Sequence, residues 1–219
     1  MKLSKAASTL FAIITIIYTN LYAQSPPSIQ VNGGIIAPRS SSSGLTAVMQ
    51  YNHPVNNDIQ LFFSIGYASW DQYKIKLIEE YSNTPSEKIF NSYNADDHEI
   101  IPVYVGSKIT LRKLKELVSF FTAEIGYSHL SYNKYDNYKI TNYETGEVVG
   151  YAVDNISRKK ISENLIGIGL GIELLHPMSK NLNLQFIFKV NTYLNSDYYK
   201  FYSQRATYFN YLFGVSYNL

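Results

Sequence analysis

Cysteine is absent from the whole 219-residue chain, which excludes a disulfide framework, a thiolate metal site, a cysteine nucleophile and a lipid-modified cysteine anchor. The fold must rest on packing and backbone pairing. Long apolar runs are missing too. The most apolar stretch, Leu10 to Tyr18, falls well short of the roughly 20 residues a helix needs to cross a bilayer, so no membrane helix is expected. It follows Lys2 and Lys5 and precedes a small, polar segment ending at Ala23. That order is expected of a secretory signal peptide over residues 1–23, cleaved after Ala23. Without it, residues 24–219 carry 17 basic and 17 acidic side chains, and no nucleic-acid partner is implied. One domain is expected.

What the chain has in plenty is tyrosine, 21 residues, with 11 phenylalanines, a composition that favours strands. The strands show themselves by alternation, since successive side chains of an extended chain face opposite ways. Residues 206–219 are the clearest case: Phe209, Tyr211, Phe213, Val215, Tyr217 and Leu219 share one face, while Tyr208, Asn210, Leu212, Gly214, Ser216 and Asn218 share the other. The same two-faced pattern recurs over 28–37, 45–52, 59–69, 100–111, 117–128, 164–175 and 182–194, giving eight strands. Tight turns separate the second and third, fourth and fifth, and sixth and seventh strands. The other connections include residues 70–99 and 129–163, expected as two large loops, the second with a hairpin tip at Tyr143 to Glu147 whose flanking strands are expected to project beyond the membrane.

Charge avoids the strands. Only Lys108, Glu124, Glu173 and Lys189 fall within them, all on the less apolar face and two of each sign. A water-soluble barrel would turn a charged face to solvent; here that face is glycine, serine, asparagine and glutamine. Such small uncharged side chains fit the interior of a narrow barrel, whereas the bulky aliphatic and aromatic face suits hydrocarbon. A closed ring also satisfies every backbone group in a bilayer. The expected fold is therefore an all-β, closed, eight-stranded antiparallel up-and-down transmembrane β-barrel with Lys108, Glu124, Glu173 and Lys189 as paired charges in its lumen. A lysine facing lipid near the midplane would cost about 2 to 4 kcal/mol.

With the leader segment, eight amphipathic strands, tight turns at one end, long loops at the other and an aromatic terminal strand, the chain resembles the small bacterial outer-membrane barrels of the OmpX/OmpA and opacity-protein type. The resemblance implies the outer membrane of a Gram-negative bacterium, contact with outer-membrane lipid and lipopolysaccharide, and recognition of residues 206–219 by the barrel-assembly machinery. That family's last strand ends in phenylalanine; this one ends in Leu219.

Several side chains invite chemistry. His129 and Ser131 lie two apart on a strand, so they share a face and could act as base and nucleophile. They are similar to the His-x-Ser pair of lipid A deacylases of the PagL type, although Tyr132 intervenes before Asn133 and the acid Glu163 sits on the opposite phase. The blander reading, preferred here, is an interfacial polar pair. Asp96, Asp97, His98 and Glu99 offer oxygens to a divalent cation, but adjacent residues do not converge on one ion; a solvated loop edge is preferred. Gly167, Gly169 and Gly171 mark close packing in the lumen. Tyr127, Tyr132, Tyr135, Tyr138, Tyr193, Tyr198, Tyr199, Tyr202 and Tyr208 are expected mostly as an interfacial girdle. No cofactor or metal is implied. The preferred function is a non-enzymatic structural or surface-binding role through the two long loops. The alternatives are a narrow porin-like pore or envelope-assembly or secretion component, and a lipid A acyl hydrolase using His129 and Ser131.

Overall fold

The computed structural model describes residues 26–39, 41–80, 87–114, 116–195 and 207–219. The expected leader, its cleavage site, Tyr198, Tyr199, Tyr202 and Ala206 lie outside the described residues. Among the described residues nine strands follow in order: β1 (Ser28–Pro38), β2 (Gly44–Pro54), β3 (Ile59–Trp70), β4 (Tyr73–Glu80), β5 (Glu87–Leu114), β6 (Leu117–Thr141), β7 (Val148–Pro177), β8 (Leu182–Tyr193) and β9 (Thr207–Asn218). Neighbours in sequence pair antiparallel, β3 skips β4 to pair with β5, and β1 pairs with β9. The ring therefore closes through eight staves, with β4 continuing the course of β3 beyond a break at Asp71 and Gln72.

Burial follows the alternation. Gln30, Asn32, Gln50, Ser64, Tyr104, Lys108, Thr122, Glu173, Lys189, Asn191 and Ser216 are buried, while Val31, Met49, Phe63, Val105, Ile125, Leu170, Phe213 and Val215 are exposed on the outside. The barrel wears its apolar side chains outward, which is stable only against hydrocarbon. The tight turns are built as their composition demands. Asn56 Oδ1 accepts the Asp58 and Ile59 amides, and Ser179 Oγ accepts that of Leu182.

Strands run through both expected loops: the hairpin expected around Tyr143 to Glu147 is present, whereas β4 and the first part of β5 stand where only a loop is expected. Residues 73–80 and 87–95 form a hairpin, and β6 and β7 run on as a second hairpin to Thr141 and from Val148. Bulges hide this continuation from a period-of-two pattern. Between Asp96 and Glu99, three steps of β5 oppose two of β6, from Asn133 to Ser131, and Asp97 takes up the extra residue with a φ of 49°. Between Lys134 and Asp136 the β7 side carries the excess, Lys159 to Asp154. Each extra residue flips which side chains face inward.

Glycine placement is set by the lumen. A Cβ at Gly167 would meet the Tyr104 hydroxyl, and one at Gly169 would collide with Asn191 Nδ2 and lie 2.7 Å from Glu124 Oε1. These β7 glycines leave the space that the inward-pointing polar side chains fill.

Candidate functional site

The four strand charges meet in two buried pairs. Lys108 Nζ lies 2.5 Å from Glu173 Oε2 and donates to Gln30 Oε1, while Gln30 Nε2 donates to the other Glu173 oxygen. Lys189 Nζ lies 2.7 Å from Glu124 Oε2, and Asn191 Nδ2 donates to Glu124 Oε1. The Phe62 ring lies 5.9 Å from one ammonium and 5.2 Å from the other. Each ion thus has a partner of opposite sign and further hydrogen bonds, the condition under which buried charge is tolerated. A cavity of about 30 Å³ bordered by Tyr104, Glu124, Lys189 and Tyr208 is the size of one or two waters.

Above this polar layer an apolar one plugs the outer mouth. Ile36, Ala68, Trp70, Tyr73, Ile100, Leu130, Tyr132, Leu165, Tyr193 and Tyr208 form one buried cluster. The girdle expectation is therefore corrected for Tyr132, Tyr135, Tyr193 and Tyr208, which are buried; Tyr127 and Tyr138 are exposed. His98 belongs to this plug, not to a solvated loop edge. It is fully buried, stacked between Trp70 at 4.9 Å and Tyr132 at 5.2 Å. Its Nδ1 is 2.8 Å from the Asp71 carbonyl, which can only accept, so Nδ1 carries the proton. Burial pushes the imidazole down to about 4, against the weaker upward pull of that carbonyl and of the Asp96 and Asp97 carboxylates. Among the described residues no three acids or histidines gather as a metal site.

His129 and Ser131 lie at the outer edge of the apolar belt. His129 Nδ1 is 2.9 Å from Asn164 Oδ1, which also accepts the Tyr127 hydroxyl. Asn164 is directly across the ladder from His129 and was not singled out from the sequence, because only the β6–β7 register reveals it. The acid beside Asn164, Glu163, accepts the Tyr132 hydroxyl at 2.7 Å. Among the described residues no hydrogen bond joins His129 to Ser131, and the imidazole is oriented by an amide rather than a carboxylate.

The two outer hairpins are clasped together. Glu79 on β4 accepts Lys139 of β6 and the Tyr151 hydroxyl of β7, each at 2.6 Å. Those two donors hold its carboxyl below the usual range. Asn137 donates to Ser92 Oγ, and Phe90 packs edge-on to Tyr151. The far faces carry exposed Ile78, Ile89, Tyr138, Ile140 and Ile156, with Tyr143 fully exposed at the tip.

A closed antiparallel ring, apolar outside and paired in charge inside, defines a transmembrane β-barrel of the outer-membrane type. Solved structures share it. Neisserial surface protein A superposes with a TM-score of 0.55 at 12% identity, over 88% of this chain and 97% of that one. A major outer membrane protein from Thermus thermophilus superposes with a TM-score of 0.53 at 14% identity, over 88% and 99%. No family model matches the chain, and no curated protein matches its sequence. The likeness is one of fold.

Proposed function

We propose that this chain is a non-enzymatic outer-membrane protein that binds a partner through the two clasped hairpins above its barrel. The observation that carries this is the hairpin pair itself: strands extended well past the apolar belt, tied by Glu79, with isoleucines and tyrosines left facing water. A fold that spends so much ordered backbone outside the membrane presents a surface rather than a passage. Export through residues 1–23 with cleavage near Ala23, delivery by the barrel-assembly machinery through residues 206–219, and lipopolysaccharide around the outer belt complete the proposal.

The test compares cells displaying the wild type with cells displaying Tyr138→Ser/Ile140→Ser/Ile156→Ser at equal surface density, on arrays of immobilised proteins and glycans. A loss of retained cells of about tenfold is expected for the variant. Equal retention, or a wild type that binds no better than cells without it, overturns the reading. The non-enzymatic part rests on the amide partner of His129 and the engaged Glu163.

A further inference from the structure

On the outer flank of the barrel, just above the apolar belt, a cleft of about 620 Å³ opens between the start of β2, the end of β3, the β5 bulge and the neighbouring stretch of β7. Its floor is Leu45 and Tyr67, both exposed and continuous with the lipid-facing surface. Charges of both signs line it: Asp71, Asp97 and Glu99 from the β3 end and β5, and Arg158 and Lys160 from β7, with Arg158 3.4 Å from Asp97. We propose that this cleft binds the zwitterionic phosphoethanolamine headgroup of a phospholipid that enters the outer leaflet beside the lipopolysaccharide of the belt.

The charge layout supports this occupant over a simple anion. A phosphate alone would gain from Arg158 and Lys160 but suffer from three carboxylates, and a cation alone would meet the reverse. A headgroup carrying both signs a few bonds apart satisfies both sides. Its ammonium would face the carboxylates and the exposed Tyr67 ring, whose hydroxyl already donates to Glu99 Oε1 at 3.1 Å and steadies that carboxylate. Its phosphate would take the guanidinium, which now holds only a solvent-exposed contact to Asp97 at 3.4 Å, weak enough to be exchanged.

Two features keep the cleft in shape. Asn133 Nδ2 donates to both Asp96 and Asp97, at 3.2 and 2.8 Å, so the carboxylate at the bulge is fixed. Behind it stands the buried Trp70–His98–Tyr132 stack. The apolar floor matters as much as the charges: it opens onto the belt where acyl chains lie, so a lipid-borne headgroup reaches the site with its tails already in place.

The experiment titrates the refolded mature chain, in a non-ionic detergent, with dihexanoyl phosphatidylethanolamine, dihexanoyl phosphatidylglycerol and soluble O-phosphoethanolamine. Emission from Trp70, the one tryptophan in the chain, provides the signal. Saturable binding at least tenfold tighter for phosphatidylethanolamine than for phosphatidylglycerol is expected. The soluble headgroup should bind at least tenfold more weakly than the lipid that carries it. Arg158→Gln/Lys160→Gln should lose tenfold or more for both lipids, whereas Asp97→Asn/Glu99→Gln should erase the preference between them. Heat-modifiable gel mobility confirms that each variant still closes. Equal binding of the two lipids by the wild type, equal binding of lipid and free headgroup, or variants that bind like the wild type would each overturn the assignment.

Discussion

A neutral imidazole held between two aromatic rings makes His98 the residue with the clearest dependence on acidity. Its folded value near 4 lies below the ordinary 6.5, so between those limits the unfolded chain holds the extra proton. Stability is therefore unaffected above about pH 6.5 and falls as pH drops from there to 4, by roughly 3 kcal/mol for a shift of this size. Trp70 reports it directly, because an imidazolium against an indole quenches its emission. An acid titration should show a quench with a midpoint near 4 that disappears in His98→Gln; a midpoint near 6.5 would contradict the buried stack. The sequence did not disclose this. His98 sits among Asp96, Asp97 and Glu99, and polarity suggested a wet edge. The four lumen charges were legible because each shares a phase with glycines and amides; His98 keeps the inward phase of Ile100, Tyr104 and Lys108, opposite Trp70, but stands outside the apolar strand core among three acids.

Between elements, the Lys108–Glu173 pair acts as a strut from β5 to β7, across the intervening β6. Both side chains are 1% exposed, so removing one strands the other in the lumen. Lys108→Met alone should cost about 3 to 5 kcal/mol in urea unfolding, and Lys108→Met/Glu173→Gln should recover most of it. A single variant no weaker than the double would show that the pair contributes no coupling. Strand existence was readable wherever hydrocarbon on one side and a crowded lumen on the other enforce alternation. Above the belt both faces meet water or another hairpin, and bulges at Asp97 and between Asp154 and Lys159 interrupt the period. The polar, charged stretches over 73–80, 87–95, 133–141 and 148–160 therefore looked like loops although strands β4 to β7 run through them.

For the molecule as a whole, the polar layer and the aromatic plug stack one above the other along the same axis. With only about 30 Å³ of space bordered by Tyr104, Glu124, Lys189 and Tyr208, no continuous water path is expected. Planar bilayers holding the refolded chain should show no resolved conductance steps in molar salt; regular steps would revive the pore alternative. Closure and lipid exposure were legible in the sequence because eight strands with a sparse charge supply leave few other arrangements.

The seam of the ring joins β1 to β9, from Ser28 against Asn218 to Pro38 against Tyr208. β1 thus waits for β9, with 168 residues of chain between Pro38 and Thr207, and its open hydrogen-bonding rim has no lawful neighbour in the interval. The ring can therefore shut only once, after the last strand has arrived, and until then that rim stays open to mispairing.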